Sequence, residues 1–114
     1  MPREKIAIWP TSMASRISAR QIETLAGNRT ITIDEIETYN ALAFDPGGAG
    51  RDVTLPAVGG CHGVFLVISN KADGVEILTI KNAGGTAILT PAQGEAAFLW
   101  CDGVSWYGLV GAQS

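Results

Sequence analysis

Charged side chains are scarce in this sequence, and so are the residue types that bind metals. Only 17% of the 114 residues are charged, whereas 46% are apolar; a typical soluble domain has about 25% charged residues. The chain has one histidine, His62, and two cysteines, Cys61 and Cys101. Because a structural zinc site needs four nitrogen or sulfur ligands, we expect neither a metal nor a cofactor.

The few residues that could carry catalysis have a simpler interpretation. Cys61 and His62 are adjacent in the segment GGCHG, but a cysteine nucleophile also needs a third group to orient its base. The glycines favour a turn, and we expect no enzyme; a cleft centred on His62 is the open alternative. In a reducing compartment Cys61 and Cys101 are expected to be buried hydrophobes, with a disulfide as the alternative.

Long apolar runs are also missing, and charge is unevenly distributed. No run approaches the roughly 20 residues that span a bilayer, and the start does not resemble a secretory signal, so we expect a protein made in a cytosol with no membrane partner. Residues 1–29 hold five basic and two acidic residues, and residues 30–114 hold three basic and nine acidic ones. The acidic body disfavours nucleic acid as a partner.

The basic start of the chain predicts an arm over residues 1–28, followed by a β-domain over residues 29–114. Residues 12–25 have loosely helical apolar spacing, so the arm is expected to be extended or partly helical. It either contacts an acidic partner or is simply solvated. The expected contact residues are Arg3, Lys5, Ile6, Ile8, Trp9, Arg16 and Arg20.

The β-domain is predicted from a regular series of short strands. The segments rich in β-formers are 29–33, 51–56, 63–69, 75–81, 86–90, 95–101 and 105–110. Asp34 followed by Glu37 resembles a capping box and predicts one short helix, capped at Asp34, between the first two segments. Segment 41–45 could extend that helix or form another strand. Since the later linkers are too short for a parallel crossover, we expect an all-β antiparallel sandwich with jelly-roll-like topology.

Several of these strands are apolar on both faces. Segment 97–110 is predicted to be a hairpin that turns at Asp102-Gly103. Within it, Leu99, Cys101, Val104, Trp106 and Val110 fall on one face, and Phe98, Trp100, Tyr107 and Leu109 on the other. One face can pack against the domain's own second sheet. The other face predicts a homo-oligomer, whose interface we assign to Phe65, Val67, Trp100, Trp106 and Tyr107. Exposed apolar residues of a monomer are the alternative.

The order of these segments resembles small virion proteins of tailed bacteriophages: capsid decoration (cement) proteins, head fibres and the β-domains of tail fibres. The similarity lies in DVTLP (52–56), GVFLVISN (63–70), GVEILTIKNAGG (74–85) and EAAFLWCDGVSWYGL (95–109). It covers about residues 29–111 and consists of strand order and turn signals.

This resemblance implies a structural protein of the virion, commonly a homotrimer. Decoration proteins of this kind bind the major capsid protein on the outer surface of the head and reinforce it, often through an N-terminal arm. We therefore expect a capsid-surface protein made in the host bacterial cytoplasm. The alternative is a fibre-tip or baseplate β-domain that binds a host receptor or glycan, with Trp100, Trp106 or Tyr107 exposed in the oligomer.

Overall fold

The computed structural model describes residues 17–112, which form two mixed β-sheets and one short α-helix. The elements, in chain order, are β1 (Glu23–Thr24), β2 (Arg29–Thr30), α1 (Ile33–Thr38), β3 (Ala41–Asp45), β4 (Arg51–Thr54), a 3-10 turn (Val58–Gly60), β5 (Phe65–Asn70), β6 (Leu78–Lys81), β7 (Ala87–Leu89), β8 (Glu95–Cys101) and β9 (Trp106–Ala112). The strand order is β9-β8-β5-β3-β1 in the first sheet and β2-β4-β6-β7 in the second.

The mainly β composition is confirmed, but the predicted antiparallel pairing of all strands is wrong, because both sheets are mixed. Strands β1, β3 and β5 pair in parallel in the first sheet, and β2, β4 and β6 pair in parallel in the second. From β1 to β6 the chain alternates between the sheets, so each parallel neighbour arrives only after a strand of the opposite sheet. That strand provides the long crossover which parallel pairing requires, and the linkers themselves stay short.

Antiparallel pairing is limited to the last strands. β7 folds back on β6 with a register shift beside Ile80, and β8 pairs antiparallel with β5 and β9. The Asp102-Gly103 turn predicted for the final hairpin is present. Gly103 has a φ of 90°, and one Asp102 carboxylate oxygen accepts the backbone N–H groups of Val104 and Ser105, both at 2.8 Å.

The predicted short helix is present, but it begins at a different cap. Thr32 is the N-cap: its hydroxyl accepts the N–H of Glu35 at 3.3 Å, and the Glu35 carboxylate accepts the N–H of Thr32 at 3.0 Å. Asp34 lies inside the first turn, where its negative charge favours the helix N-terminus. Segment 41–45, left open between helix and strand, is β3.

The core lies between the two sheets and follows the alternation of each strand. Leu66, Ile68 and Leu99 of the first sheet and Val53 and Ile80 of the second are at most 1% exposed. Cys61 and Cys101 are buried in the same cluster and both are free thiols, as expected. Burial of the thiol raises the pKa of Cys61.

The chain joins the body before residue 28, the boundary predicted between the arm and the β-domain. Arg20 donates its backbone N–H to Ala41 at 2.9 Å, β1 pairs with the end of β3, and Leu25 is a core residue at 4% exposure. Residues 17–25 are extended rather than helical, since they add an edge strand to the first sheet.

A candidate interaction surface on the first sheet

The outer face of the first sheet is apolar over three adjacent strands. We call it the aromatic face and define it by Phe65 and Val67 of β5, Phe98 and Trp100 of β8, and Tyr107 and Leu109 of β9. It arises from alternation: Leu66, Leu99 and Trp106 point into the core, so their chain neighbours point outward.

Strand register arranges these side chains in two rows across the sheet. Phe65 lies opposite Trp100, which lies opposite Tyr107. Val67 lies opposite Phe98, which lies opposite Leu109. A third row, formed by Ser69, Ala96 and Gly111, consists of small residues. Apolar side chains directly opposite one another on a sheet are in contact, so the two rows form one continuous surface.

The row nearest the final turn has a fixed geometry. The rings of Trp100 and Tyr107 are stacked, with centroids 5.5 Å apart and an interplanar angle of 24°. The Tyr107 hydroxyl donates to the Asp102 carboxylate at 3.1 Å. Backbone N–H groups of Ser105 and Val104 lower the pKa of Asp102, and its carboxylate in turn raises the pKa of Tyr107. The turn carboxylate therefore holds the tyrosine beside the tryptophan.

The exposure of this face matches what an interface needs. Phe65, Phe98, Trp100, Tyr107 and Leu109 are between 40% and 62% exposed, and a groove of about 380 Å³ runs between them. A large apolar side chain has roughly 150–250 Å² of surface that can be buried. With about half of that surface exposed on each, the five side chains together expose about 450 Å². One side of a standard protein interface covers about 800 Å², of which about 500 Å² is apolar.

Most of the predicted interface residues lie on this face, with one exception. Phe65, Trp100 and Tyr107 are exposed on it, and Val67 lies on it but is 8% exposed. Trp106 is on the inner side, 7% exposed, with its indole N–H donating to the Pro56 carbonyl at 3.2 Å. Trp106 therefore belongs to the core and not to the exposed face, because residues 106 and 107 of a strand face opposite sides.

Phe98 and Leu109 were missing from the predicted interface. Alternation already placed them with Trp100 and Tyr107, so the signal was present in the sequence. Val104, which the same alternation placed on the inner face, is instead 78% exposed in the turn between β8 and β9. Alternation stops where the strand stops.

The predicted arm contacts fall into two groups. Arg3, Lys5, Ile6, Ile8, Trp9 and Arg16 lie outside the described residues. Arg20 belongs to the body, where its guanidinium is paired with the Glu23 carboxylate. An arginine paired within its own domain is less available to a partner, which weakens the assignment of Arg20 as an arm contact.

Glu23 belongs to a charged cluster at the opposite edge of the first sheet that sequence reasoning did not find. Arg29 donates from Nε to Glu23 at 2.9 Å and from Nη1 to Glu35 at 2.8 Å, and its guanidinium lies 5.4 Å from the centre of the Phe44 ring. These hydrogen bonds lower the pKa of Glu35 to about 2 and raise that of Arg29. The residues come from β1, β2 and α1, so no local motif reveals the cluster.

His62 lies in an exposed turn between the 3-10 turn and β5, as the glycines around it predicted. Within residues 17–112, no three histidine, cysteine or acidic side chains come together in a way that could hold a metal ion. The same part of the chain contains no helix long and apolar enough to cross a membrane. The aromatic face is the feature of the described residues that most clearly suits a partner, because its large apolar side chains are 40–62% exposed.

Comparison with known proteins adds no relative: no family model, no curated protein and no solved structure matches the chain.

Proposed function

We propose that this protein is a structural component of a tailed-bacteriophage virion, which self-associates through the aromatic face and binds the outside of the capsid as a decoration protein. The observation that carries the self-association is the size of that face. Five large apolar side chains expose about as much apolar area as one side of a standard interface.

A second copy is the preferred occupant of the aromatic face because of its composition. The six residues that define it are all uncharged, and their polar side-chain groups are the Trp100 indole N–H and the Tyr107 hydroxyl, which already donates to Asp102. Interfaces between identical subunits are the most apolar class of protein interface. The resemblance to phage decoration proteins supports a trimer as the stoichiometry and the head surface as the location.

Self-association is tested by making the face polar. The double variant Trp100→Ser, Leu109→Ser removes two large side chains from separate rows while leaving the core unchanged. We expect the natural chain to sediment as an oligomer at micromolar concentration and the double variant, which loses association through this face, to sediment as a smaller folded species. Val75→Ser is the matched control, because Val75 is 88% exposed in a loop away from the face. A monomeric natural chain would overturn the proposal.

Capsid binding is tested separately with a truncation placed according to the structure. Removing residues 1–16 leaves the described body intact, whereas removing 1–28 would delete β1 and the core residue Leu25. With empty heads of the phage that encodes the chain, we expect the full chain to co-sediment. The truncated chain should remain oligomeric but stay in the supernatant. Full occupancy by the truncated chain would show that the arm is not the contact.

The stacked pair Trp100 and Tyr107 favours one second candidate, a fibre-tip domain that binds a glycan. Both rings are about half exposed, and stacked aromatic side chains offer an apolar platform to a sugar ring. Titration with host surface oligosaccharide, followed by tryptophan fluorescence, separates the two functions. A saturable change that is lost in Trp100→Phe and kept in Trp106→Phe would favour the glycan.

A further inference from the structure

The two sheets have four edge strands, and three of them offer little to a partner. β1 and β2 are two residues long, and β7 is three residues long and pairs with a register shift beside β6. Short edges and irregular pairing are common ways to prevent edge-to-edge association. The fourth edge, β9, runs for seven residues from Trp106 to Ala112.

The backbone groups on the open side of β9 can be assigned from the hydrogen bonds of β8. Cys101 donates to Val64 and accepts from Gly63, so its N–H and C=O point toward β5. Backbone direction alternates along a strand, so the groups of Trp100 point the other way, toward Tyr107. Tyr107, Leu109 and Gly111 are therefore bonded to β8.

The remaining residues of β9 direct their backbone groups away from β8. By the same alternation, Trp106, Gly108, Val110 and Ala112 present eight N–H and C=O groups along the open edge. Among residues 17–112, no strand pairs with that side. An open row of this length is a template for another strand.

β9 has none of the features that usually protect an edge. Its sequence, WYGLVGA, contains no charged residue and no proline, and its pairing with β8 is continuous from Trp106 to Ala112 without a bulge. Lysine, proline and bulges are the usual protection of exposed edge strands. The contrast with β1, β2 and β7 indicates that this edge is left free for pairing.

We propose that the open edge of β9 pairs antiparallel with β9 of a second copy around a two-fold axis at Leu109. Leu109 is the midpoint of the strand. This register places Trp106 opposite the partner's Ala112 and Gly108 opposite the partner's Val110, so that all eight backbone groups of each copy are bonded. The first sheets of the two copies join into one ten-stranded sheet.

β9 of a second copy is a better partner for this edge than any of the short edge strands β1, β2 and β7. The other edges have at most three residues, so pairing β9 with any of them leaves most of its open groups unbonded. Two β9 strands match in length and are both uncharged, and a two-fold contact closes after two copies without forming a fibre. The edge contact goes beyond the proposed function, because it forms whether or not the aromatic face packs against another copy.

Cysteine cross-linking tests the register. At the two-fold axis Leu109 and the partner's Leu109 form a non-hydrogen-bonded pair, with Cα atoms about 4.5 Å apart; a disulfide requires about 4.4–6.8 Å. Under mild oxidation, we expect Leu109→Cys to form a covalent dimer. Phe98→Cys is the matched control, since Phe98 lies opposite Leu109 one strand away, about 14 Å from its own copy. The natural Cys61 and Cys101 are fully buried.

The cross-linking result decides the proposal in either direction. A dimer from Leu109→Cys with little from Phe98→Cys supports it. No dimer from Leu109→Cys, or equal dimer from both variants, overturns it.

Amide hydrogen exchange by NMR separates edge pairing from packing through the aromatic face. The N–H groups of Tyr107, Leu109 and Gly111 should be protected at every concentration, because β8 accepts them. Those of Gly108, Val110 and Ala112 should lose protection on dilution to monomer. If the chain sediments as an oligomer while these three amides still exchange rapidly, the edge contact is wrong and the aromatic-face contact stands.

Discussion

The side-chain amide of Asn70 donates to the Pro91 carbonyl at 3.0 Å and thereby ties the end of β5 to the loop that precedes β8. The same nitrogen donates to the Glu76 carbonyl at 2.9 Å, and the amide oxygen accepts the N–H of Ala72 at 2.9 Å. Asn70 is 1% exposed, and among residues 17–112 it is the one buried residue with a polar or charged side chain. One side chain thus satisfies the backbone of two loops.

Replacing Asn70 should be costly. Asn70→Ala leaves two carbonyls and one N–H without these partners, and the free energy of unfolding should fall by about 3 kcal/mol, since each buried unsatisfied group costs roughly 1–3 kcal/mol. Urea denaturation measures the change. Asn28→Ala is the control, because its exposed side chain accepts one bond, from the Asp52 N–H at 2.9 Å, and should cost less than about 1 kcal/mol. Equal losses would contradict the role of Asn70.

Two adjacent glycines after β3 allow backbone strain to be separated from steric overlap. Gly47 and Gly48 have φ values of 76° and 97°. A Cβ at Gly47 would lie 2.3 Å from the Leu25 carbonyl oxygen, whereas a Cβ at Gly48 meets no atom within 4 Å. The lack of a side chain at Gly47 therefore allows the chain at the end of β1 to lie close to the end of β3.

Alanine substitution at these two positions should therefore give different losses of stability. Gly48→Ala should cost about 1 kcal/mol, which is the strain of a side chain at positive φ. Gly47→Ala should cost about 3 kcal/mol, because backbone must also move. Thermal unfolding of the two variants compares them directly; similar melting temperatures would show that β1 does not pack here as described.

The charged cluster around Arg29 predicts loss of stability in acid. Its hydrogen bonds to Glu35 lower the folded-state pKa of that carboxyl to about 2, below the ordinary value of 4.5. A lowered carboxyl pKa contributes stability above the ordinary value and loses it as pH falls toward the folded value. The urea concentration at the midpoint of unfolding should therefore decrease as the pH is lowered from about 4.5 to about 2.

Glu35→Gln tests this origin of the pH dependence. The variant should be less stable at neutral pH, because the ion pair is lost, and its urea midpoint should change less across the acid range. Glu37→Gln, at an exposed position of the same helix, should retain the natural pH dependence. If the urea midpoint of Glu35→Gln decreases in acid as much as that of the natural chain, other carboxyls cause the loss of stability.

Local pattern was sufficient for much of this fold. Alternation separated Leu99 and Trp106 from Phe98, Trp100, Tyr107 and Leu109, and the structure confirms that separation. The Asp102-Gly103 turn was also correct, because a positive φ and a capping carboxylate are properties of a few neighbouring residues. The N-cap of the helix is Thr32, two residues before the predicted Asp34. Both positions have an acidic residue three positions later, so the capping-box pattern fits either one.

Strand pairing could not be predicted in the same way. Short linkers suggested hairpins, yet Phe44 pairs in parallel with Asn70, and Val53 with Ile80. Nothing in a linker reveals whether it returns to the same sheet or crosses to the opposite one. Similarly, the salt bridge between Arg29 and Glu35 depends on how β2 meets α1.

The sequence by itself determined most of the strand segments and which side chains share a face of each strand, because alternation and turn chemistry act within a few bonds of each residue. Only the tertiary structure decided which strands become neighbours, that β9 lies at an edge of the first sheet, and that the face of Trp106, not that of Tyr107, is turned into the core. Those outcomes depend on burying both sheets in one core, and that packing joins residues far apart in the chain.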